Sequence, residues 1–162
     1  MDGSTPLLPS SLKSLPGKRV RSVARILFEH GGRFDADDGP LELFLDDGTV
    51  VLLDGAGDGE SLRLRNAHWV EPFEPPLSEE NRLFIERHGK WCRVDQSSEP
   101  TFSRLVGKVI SSVTILVNEF DKVAGVQLSI EGTNLWFVVA ADECHVHWLP
   151  PLGYTLSDTF AQ

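Results

Sequence analysis

Cysteine is scarce: Cys92 and Cys144 are the only two in 162 residues, far apart and without C-x-x-C or zinc-type spacing. That scarcity excludes a disulfide-framed miniprotein. The simplest reading is two free thiols in a reducing compartment, although spacing alone leaves a Cys92–Cys144 disulfide open. Long apolar runs are missing as well. Nothing approaches the roughly 20 residues that a membrane-spanning helix needs, and Met1-Asp2-Gly3-Ser4-Thr5-Pro6 lacks the basic segment followed by an apolar one that marks a secretory leader. The expectation is a cytoplasmic protein. Basic residues are few, with 15 Lys and Arg against 24 Asp and Glu and a formal charge of -9. Such a surplus repels phosphate backbones and anionic bilayers. Nucleic acid and membrane are therefore not expected partners, whereas a basic protein surface is.

Catalytic signatures are also missing. There is no G-x-S-x-G elbow, no H-E-x-x-H and no cysteine in a nucleophile context. Carboxylates are plentiful but fall in turns, where solvent leaves them near their ordinary pKa and weak as acids or bases. A site assembled from separate loops leaves no local signature, but the expectation is a non-catalytic protein without cofactor.

What is present suits one ordered domain over residues 1–162, since 41% hydrophobic and 24% charged residues are ordinary globular values. The most informative feature is an internal echo. Leu15-Pro16-Gly17-Lys18-Arg19-Val20-Arg21-Ser22-Val23 returns as Leu105-Val106-Gly107-Lys108-Val109-Ile110-Ser111-Ser112-Val113. Leu43-Phe44-Leu45 then faces Leu128-Ser129-Ile130, and His68-Trp69 faces His147-Trp148. Three landmarks in one order predict a duplication, with repeats over 15–70 and 105–148.

Each copy reads as four strands. In the first, Val20 to Phe28 is β-branched and aliphatic, Leu41, Leu43 and Leu45 alternate with Glu42 and Phe44, Asp47-Gly48 turns the chain into Thr49–Leu53, and Ser61–Arg65 follows. The second repeats the plan at Val109–Val117, Val126–Ile130, Leu135–Ala140 and Cys144–Trp148. Between the copies, residues 78–89 predict a short helix: Ser78 is a sound N-cap, Glu79 and Glu80 favour its positive end, and Arg87, His88 and Gly89 close it. Its Leu83-Phe84 edge is expected to pack on the sheet. Lesser helical turns are expected at 99–104 and, as its counterpart, at 9–14. The tail after Pro150-Pro151 has no period and is expected to drape over the surface. The fold class is thus α+β and mostly β, two tandem diverged four-stranded antiparallel β-meanders with a short helix between them.

Two loops and one strand resemble ligand sites. Asp54-Gly55-Ala56-Gly57-Asp58-Gly59 is glycine-rich, but its even spacing, its two aspartates and the strand that follows oppose a phosphate cradle and predict a mobile hairpin loop. Asp35-Ala36-Asp37-Asp38-Gly39 resembles the start of a calcium loop, yet glycine stands at the fifth position and strands flank it, so a solvated acidic turn is the better account. His145 and His147 share one face of a strand with Cys144 on the other, which suits two ligands of a zinc or copper site. No third ligand is tied to them by spacing, and no metal is expected.

Acidic residues concentrate from Glu29 to Glu60, where Arg33 is the only base. Asp35, Asp37, Asp38, Asp46, Asp47, Asp54, Asp58 and Glu60 are the candidate partner-binding residues, with Phe34, Phe44 and Trp91 as aromatic anchors. With the duplicated unit opening at Leu15-Pro16-Gly17-Lys18 and Leu105-Val106-Gly107-Lys108, these acidic loops resemble the small acidic immunity proteins that bacteria pair with polymorphic or contact-delivered toxins. The resemblance covers Leu15 to Trp148 in architecture and charge, and it carries over no functional residue. It implies inhibition of a cognate toxin by direct binding. A generic interaction module and a small-molecule-binding β domain are the alternatives from composition alone.

Overall fold

β-Branched and aliphatic residues at Val20, Val23, Ile26 and Leu27 favour extended backbone. Strand β1 (Val20–His30) runs through all of them in the computed structural model, which describes residues 10–162. Met1–Pro6 and Pro9, read above for targeting and for a helical turn, lie outside those residues. Along one edge β1 pairs antiparallel with β2 (Arg33–Asp35) and then β3 (Leu41–Leu45). The sheet continues through β4 (Val50–Gly55) to β5 (Leu62–Arg65). After helix α2 (Glu79–His88), strand β6 (Lys90–Asp95) returns to the other edge of β1.

The second sheet has the order β10-β9-β8-β7-β11. It is built from β7 (Ile110–Val117), β8 (Val123–Ile130), β9 (Thr133–Ala140), β10 (Glu143–His147) and β11 (Thr155–Ala161). Helical turns at α1 (Ser10–Lys13) and at Ser103–Leu105 lead into the two sheets. The four expected strands of each copy are present and meander in the same order; the first sheet gains the short β2 and β6, and the second gains β11, none of them expected from the sequence. β6 and β11 occupy the same place, outside the first strand of their copies. The tail after Pro151 therefore does not drape: Phe160 lies opposite Val113, and Thr159 opposite Thr114.

Register tests the duplication residue by residue. Val20 pairs with Leu45 and Ile110 with Ile130, and both hairpins slip by one residue at the next position, between Val20 and Ser22 and between Ile110 and Ser112. The opening segments then meet about a local two-fold. Val20 N–H donates to Lys108 C=O and Ile110 N–H to Lys18 C=O, each at 2.8 Å, while Gly107 N–H donates to Val20 C=O and Gly17 N–H to Ile110 C=O. Gly17 and Gly107 stand at φ +92° and +81°, a left-handed conformation that glycine adopts without the clash a Cβ brings. This physical need explains the shared glycine of the echo. The His-Trp echo does not survive: Arg65 pairs with Leu52 as His147 pairs with Trp136, so the counterpart of His147 is Arg65, three residues before His68.

Alternation turns Leu41, Leu43 and Leu45 inward from the first sheet and Val126, Leu128, Ile130, Leu135 and Phe137 inward from the second, and all are buried in one shared core. Leu12, Leu15 and Leu105 close it beside the two-fold seam. Packing is tight at Gly125, where an added Cβ would lie 2.1 Å from Phe137 C=O. Gly125→Ala is expected to cost about 2 kcal/mol by forcing β8 from β9, seen as a lower denaturant midpoint with an unchanged m-value.

Helix α2 starts and stops where expected. Ser78 accepts the Asn81 N–H at 3.1 Å, and Gly89, at φ +76°, donates to Ile85 C=O. Its packing differs from the expectation. Leu83 and Phe84 are about half exposed, at 50% and 49%, and no residue of the helix is buried. Phe84 stacks on Phe73 of the preceding segment at 5.9 Å, so that segment takes the Phe84 side of the apolar edge.

Candidate functional site

The eight acidic candidates divide between two ends of the sheets. Asp46 and Asp47 lie in the β3–β4 hairpin beside the two-fold seam. Asp46 pairs with Arg19 at 3.5 Å and Asp47 with Lys18 at 3.1 Å. Hydrogen bonds from Thr49 and Lys18 hold the Asp47 carboxyl down at about 2. These two carboxylates fasten the hairpin to the seam and belong to no common face with the rest.

Asp35, Asp37, Asp38, Asp54, Asp58 and Glu60 lie at the opposite end, because β3 begins there, β4 ends there and Leu41 pairs with Leu53. Turns of the second copy join them. Asp142 N–H donates to Gly59 C=O at 2.9 Å, Lys122 pairs with Asp58 at 3.0 Å, and Asn118 donates to Glu60 C=O at 3.3 Å. The 35–39 turn is docked rather than free. The Asp38 carboxylate accepts Cys144 N–H at 2.7 Å, Gly39 N–H donates to Cys144 C=O at 2.9 Å, and His145 Nδ1 donates to Asp37 C=O at 2.7 Å. The Asp54–Gly59 loop is a hairpin, as expected, but it is fastened and not loose: Asp58 accepts Glu60 N–H, Ser61 N–H and the Ser61 hydroxyl. Those bonds, with Lys122, pull its pKa far below the usual carboxylate range. Asp142 and Glu143, which the sequence reading left out, complete the acidic end through the duplication.

Asp54 also pairs with Arg63 at 3.1 Å. Arg25, buried on the inner side, donates to Gly39 and Pro40 carbonyls. Its pKa is lowered by burial, against the attraction of Cys144, Asp38 and Asp37. The Cys144 thiol is pushed up to about 12 by burial and by Asp54 and Asp38, and the Cys92 thiol is raised by burial and by Glu29. Neither is a thiolate at neutral pH, and so neither is an activated nucleophile. His145 and His147 share the outer face of β10 with rings 6.1 Å apart. His145 is spent on Asp37 C=O and on Glu143 at 3.1 Å, and burial beside His145 lowers the pKa of His147. Among the described residues no group of three or more His, Cys, Asp or Glu is placed to hold a metal.

The outer face of the first sheet carries the other unusual feature. Glu42 points outward from β3, yet is only 1% exposed, because the chain after β5 folds over it. Its carboxylate accepts Arg93 Nε at 2.8 Å, Trp69 N–H at 2.9 Å and His68 Nδ1 at 3.0 Å. Burial alone would raise its pKa, but those three donors outweigh it and hold the carboxyl below the ordinary glutamate value. Glu42 thus pins the 66–89 connection to the sheet and sets Trp69 opposite Trp91.

Of the three anchors expected from sequence, Trp91 borders a cavity. Phe44 lies under Arg21 at 5.4 Å and beside His68, while Phe34 is exposed on β2. Trp69 and Trp91 both line a cleft of about 240 Å³ that Asp38, Asp54, Asp142 and Ile26 complete at the acidic end. The same two rings line a second, apolar hollow of about 390 Å³ with Phe28, Phe73 and Phe84. Among the described residues no helix is long and apolar enough to cross a membrane. No protein-family model, curated protein or solved structure matches the chain.

Proposed function

We propose that the chain is a non-catalytic binding protein that docks its acidic end on a basic protein, and that this partner is a toxin which it neutralises in the cytoplasm by covering a cationic surface. The observation that carries the reading is the convergence of carboxylates from several separate turns of both copies on one end, away from the seam. The two bordering cations Arg63 and Lys122 are already matched by Asp54 and Asp58, so the remaining carboxylates leave the end net negative. A field of that sign steers a cationic partner and screens out acidic ones.

Capture from the cells that make this protein, with the tagged full chain as bait at low salt and mass spectrometry as readout, tests it. One strongly basic protein at equal stoichiometry is expected, released as salt screens the charges, and its toxicity should be suppressed on co-expression. A specific partner that is acidic or neutral, held unchanged at high salt, would overturn the reading.

A further inference from the structure

We infer that the two adjoining hollows that share Trp69 and Trp91 as walls together form a groove that receives an extended segment of the partner in which a cationic side chain and a large apolar side chain point the same way. This inference rests on the basic-partner reading and names the recognition element within it.

The two cavities share both tryptophans, so the groove has two chemically distinct ends. Asp38, Asp54 and Asp142 stand at one, and Phe28, Phe73 and Phe84 at the other. Asp54 is already paired with Arg63, so Asp38 and Asp142 carry the attraction: an ammonium or guanidinium group held over an indole face and near them gains from both, whereas an anion is repelled. The apolar end remains open: Trp91 is 39% exposed and Val70, on its rim, 77%. A second copy of the chain is a poor occupant, since each carries a charge of -9 and self-association would bring like fields together. The cations nearest the groove are already matched, Arg63 by Asp54 at 3.1 Å, Arg93 by Glu42 at 2.8 Å and Lys90 by Glu71 at 3.6 Å.

Comparison of the two copies gives an independent observation. The turn between fourth and fifth strands spans only residues 148–154 in the second copy, where Tyr154 packs over Trp136 and covers the outer face. In the first copy the corresponding connection is residues 66–89, with α2 inside it. It is pinned at Glu42 yet leaves Phe84 about half exposed and Trp69 and Phe73 only partly buried. Long ordered connections on a rigid scaffold carry binding more often than packing. This one walls the hollows beside Trp69 and Trp91 with its own residues, whereas the hollow of about 480 Å³ in the second copy is lined by Arg104, Trp136 and Trp148 and by no aspartate or glutamate.

Side chains two residues apart on an extended segment face the same way. The probe is therefore the peptide acetyl-Gly-Arg-Gly-Leu-Gly-amide, titrated into the 15N-labelled full chain by NMR. Saturable shifts of the Trp69 and Trp91 indole N–H signals are expected, with Trp136 and Trp148 still. Replacing either Arg or Leu of the peptide by Gly should weaken binding about tenfold, and Arg by Glu should abolish it. Trp91→Ala should weaken it about tenfold. Phe84→Ala, on the half-exposed helix and away from the sheet, should weaken it severalfold with the rest of the spectrum unchanged. Equal affinity for the peptide lacking Leu, shifts confined to Trp136 or Trp148, or wild-type affinity in both variants would each overturn the groove. Its failure beside capture of a basic partner would leave the basic-partner reading standing. Groove binding without any basic partner would overturn that reading alone.

Discussion

Replacing Glu42 with alanine should destabilise the protein by about 3 kcal/mol, the low end for breaking a buried ionic cluster because Arg93 and His68 regain water. For a chain of this size that is a fall of about 6–12 °C in melting temperature, measurable by calorimetry. The loss should be local as well as global. Without the carboxylate, Trp69 N–H has no acceptor and the 66–89 connection loses its anchor, so hydrogen exchange at Trp69 should rise more than in β8 or β9. The sign of the pH dependence follows from the lowered pKa of Glu42. Its contribution is complete above the ordinary glutamate range and disappears as falling pH protonates it in the folded state. Wild type and Glu42→Gln should therefore differ most near neutrality and converge in acid. An equal melting temperature for Glu42→Ala and wild type at pH 7 would remove Glu42 from this role.

The second large effect is on association. Asp35→Asn, Asp37→Asn and Asp142→Asn combined should slow binding of the basic partner about tenfold at low salt, by weakening the field that steers it. The melting temperature should scarcely move, because isolated exposed charges contribute little to stability. Asp38 is left in place because it caps Cys144 N–H. The control is the pair Asp46→Asn and Asp47→Asn at the seam, which should leave the on-rate near wild type while lowering stability modestly through loss of the Lys18 and Arg19 contacts. Stopped-flow measurements over a salt series separate the two sets. If the seam pair slows association as much as the far-end triple, the end that docks has been misassigned.

Strands were legible wherever one face meets the core and the other does not, as at Leu41-Glu42-Leu43-Phe44-Leu45. Helix α2 was legible through Ser78 and Gly89, whose chemistry at its ends is local. β11 was not, because Thr155–Ala161 is exposed along nearly its whole length and an edge strand without a buried face leaves little alternation to read. β6 did carry a signal: in Lys90–Asp95 Trp91, Arg93 and Asp95 are exposed while Cys92 and Val94 are partly buried, a period of two overlooked beside a strong helix. The His-Trp echo misled because two matching residues fix no register. The acidic end was legible as composition but not as geometry, since Asp142 reaches it only through the two-fold, and nothing local marks Glu42 as buried. Its neighbours Leu41 and Leu43 predict an outward carboxylate, and the cover comes from residues far along the chain.

The seam at Gly17–Val20 and Gly107–Ile110 has a consequence for how the molecule is assembled. Each half supplies one sheet to a core that the other completes, so a fragment ending before Ser103 would expose the inward row of Leu41, Leu43 and Leu45 to water. The halves relate to one another as two subunits joined by a tether that share one core. Loss of structure in either should propagate to both in a single transition, except in the 66–89 connection. That excursion lies outside the shared core, and its opening would be resisted chiefly by the Glu42 cluster.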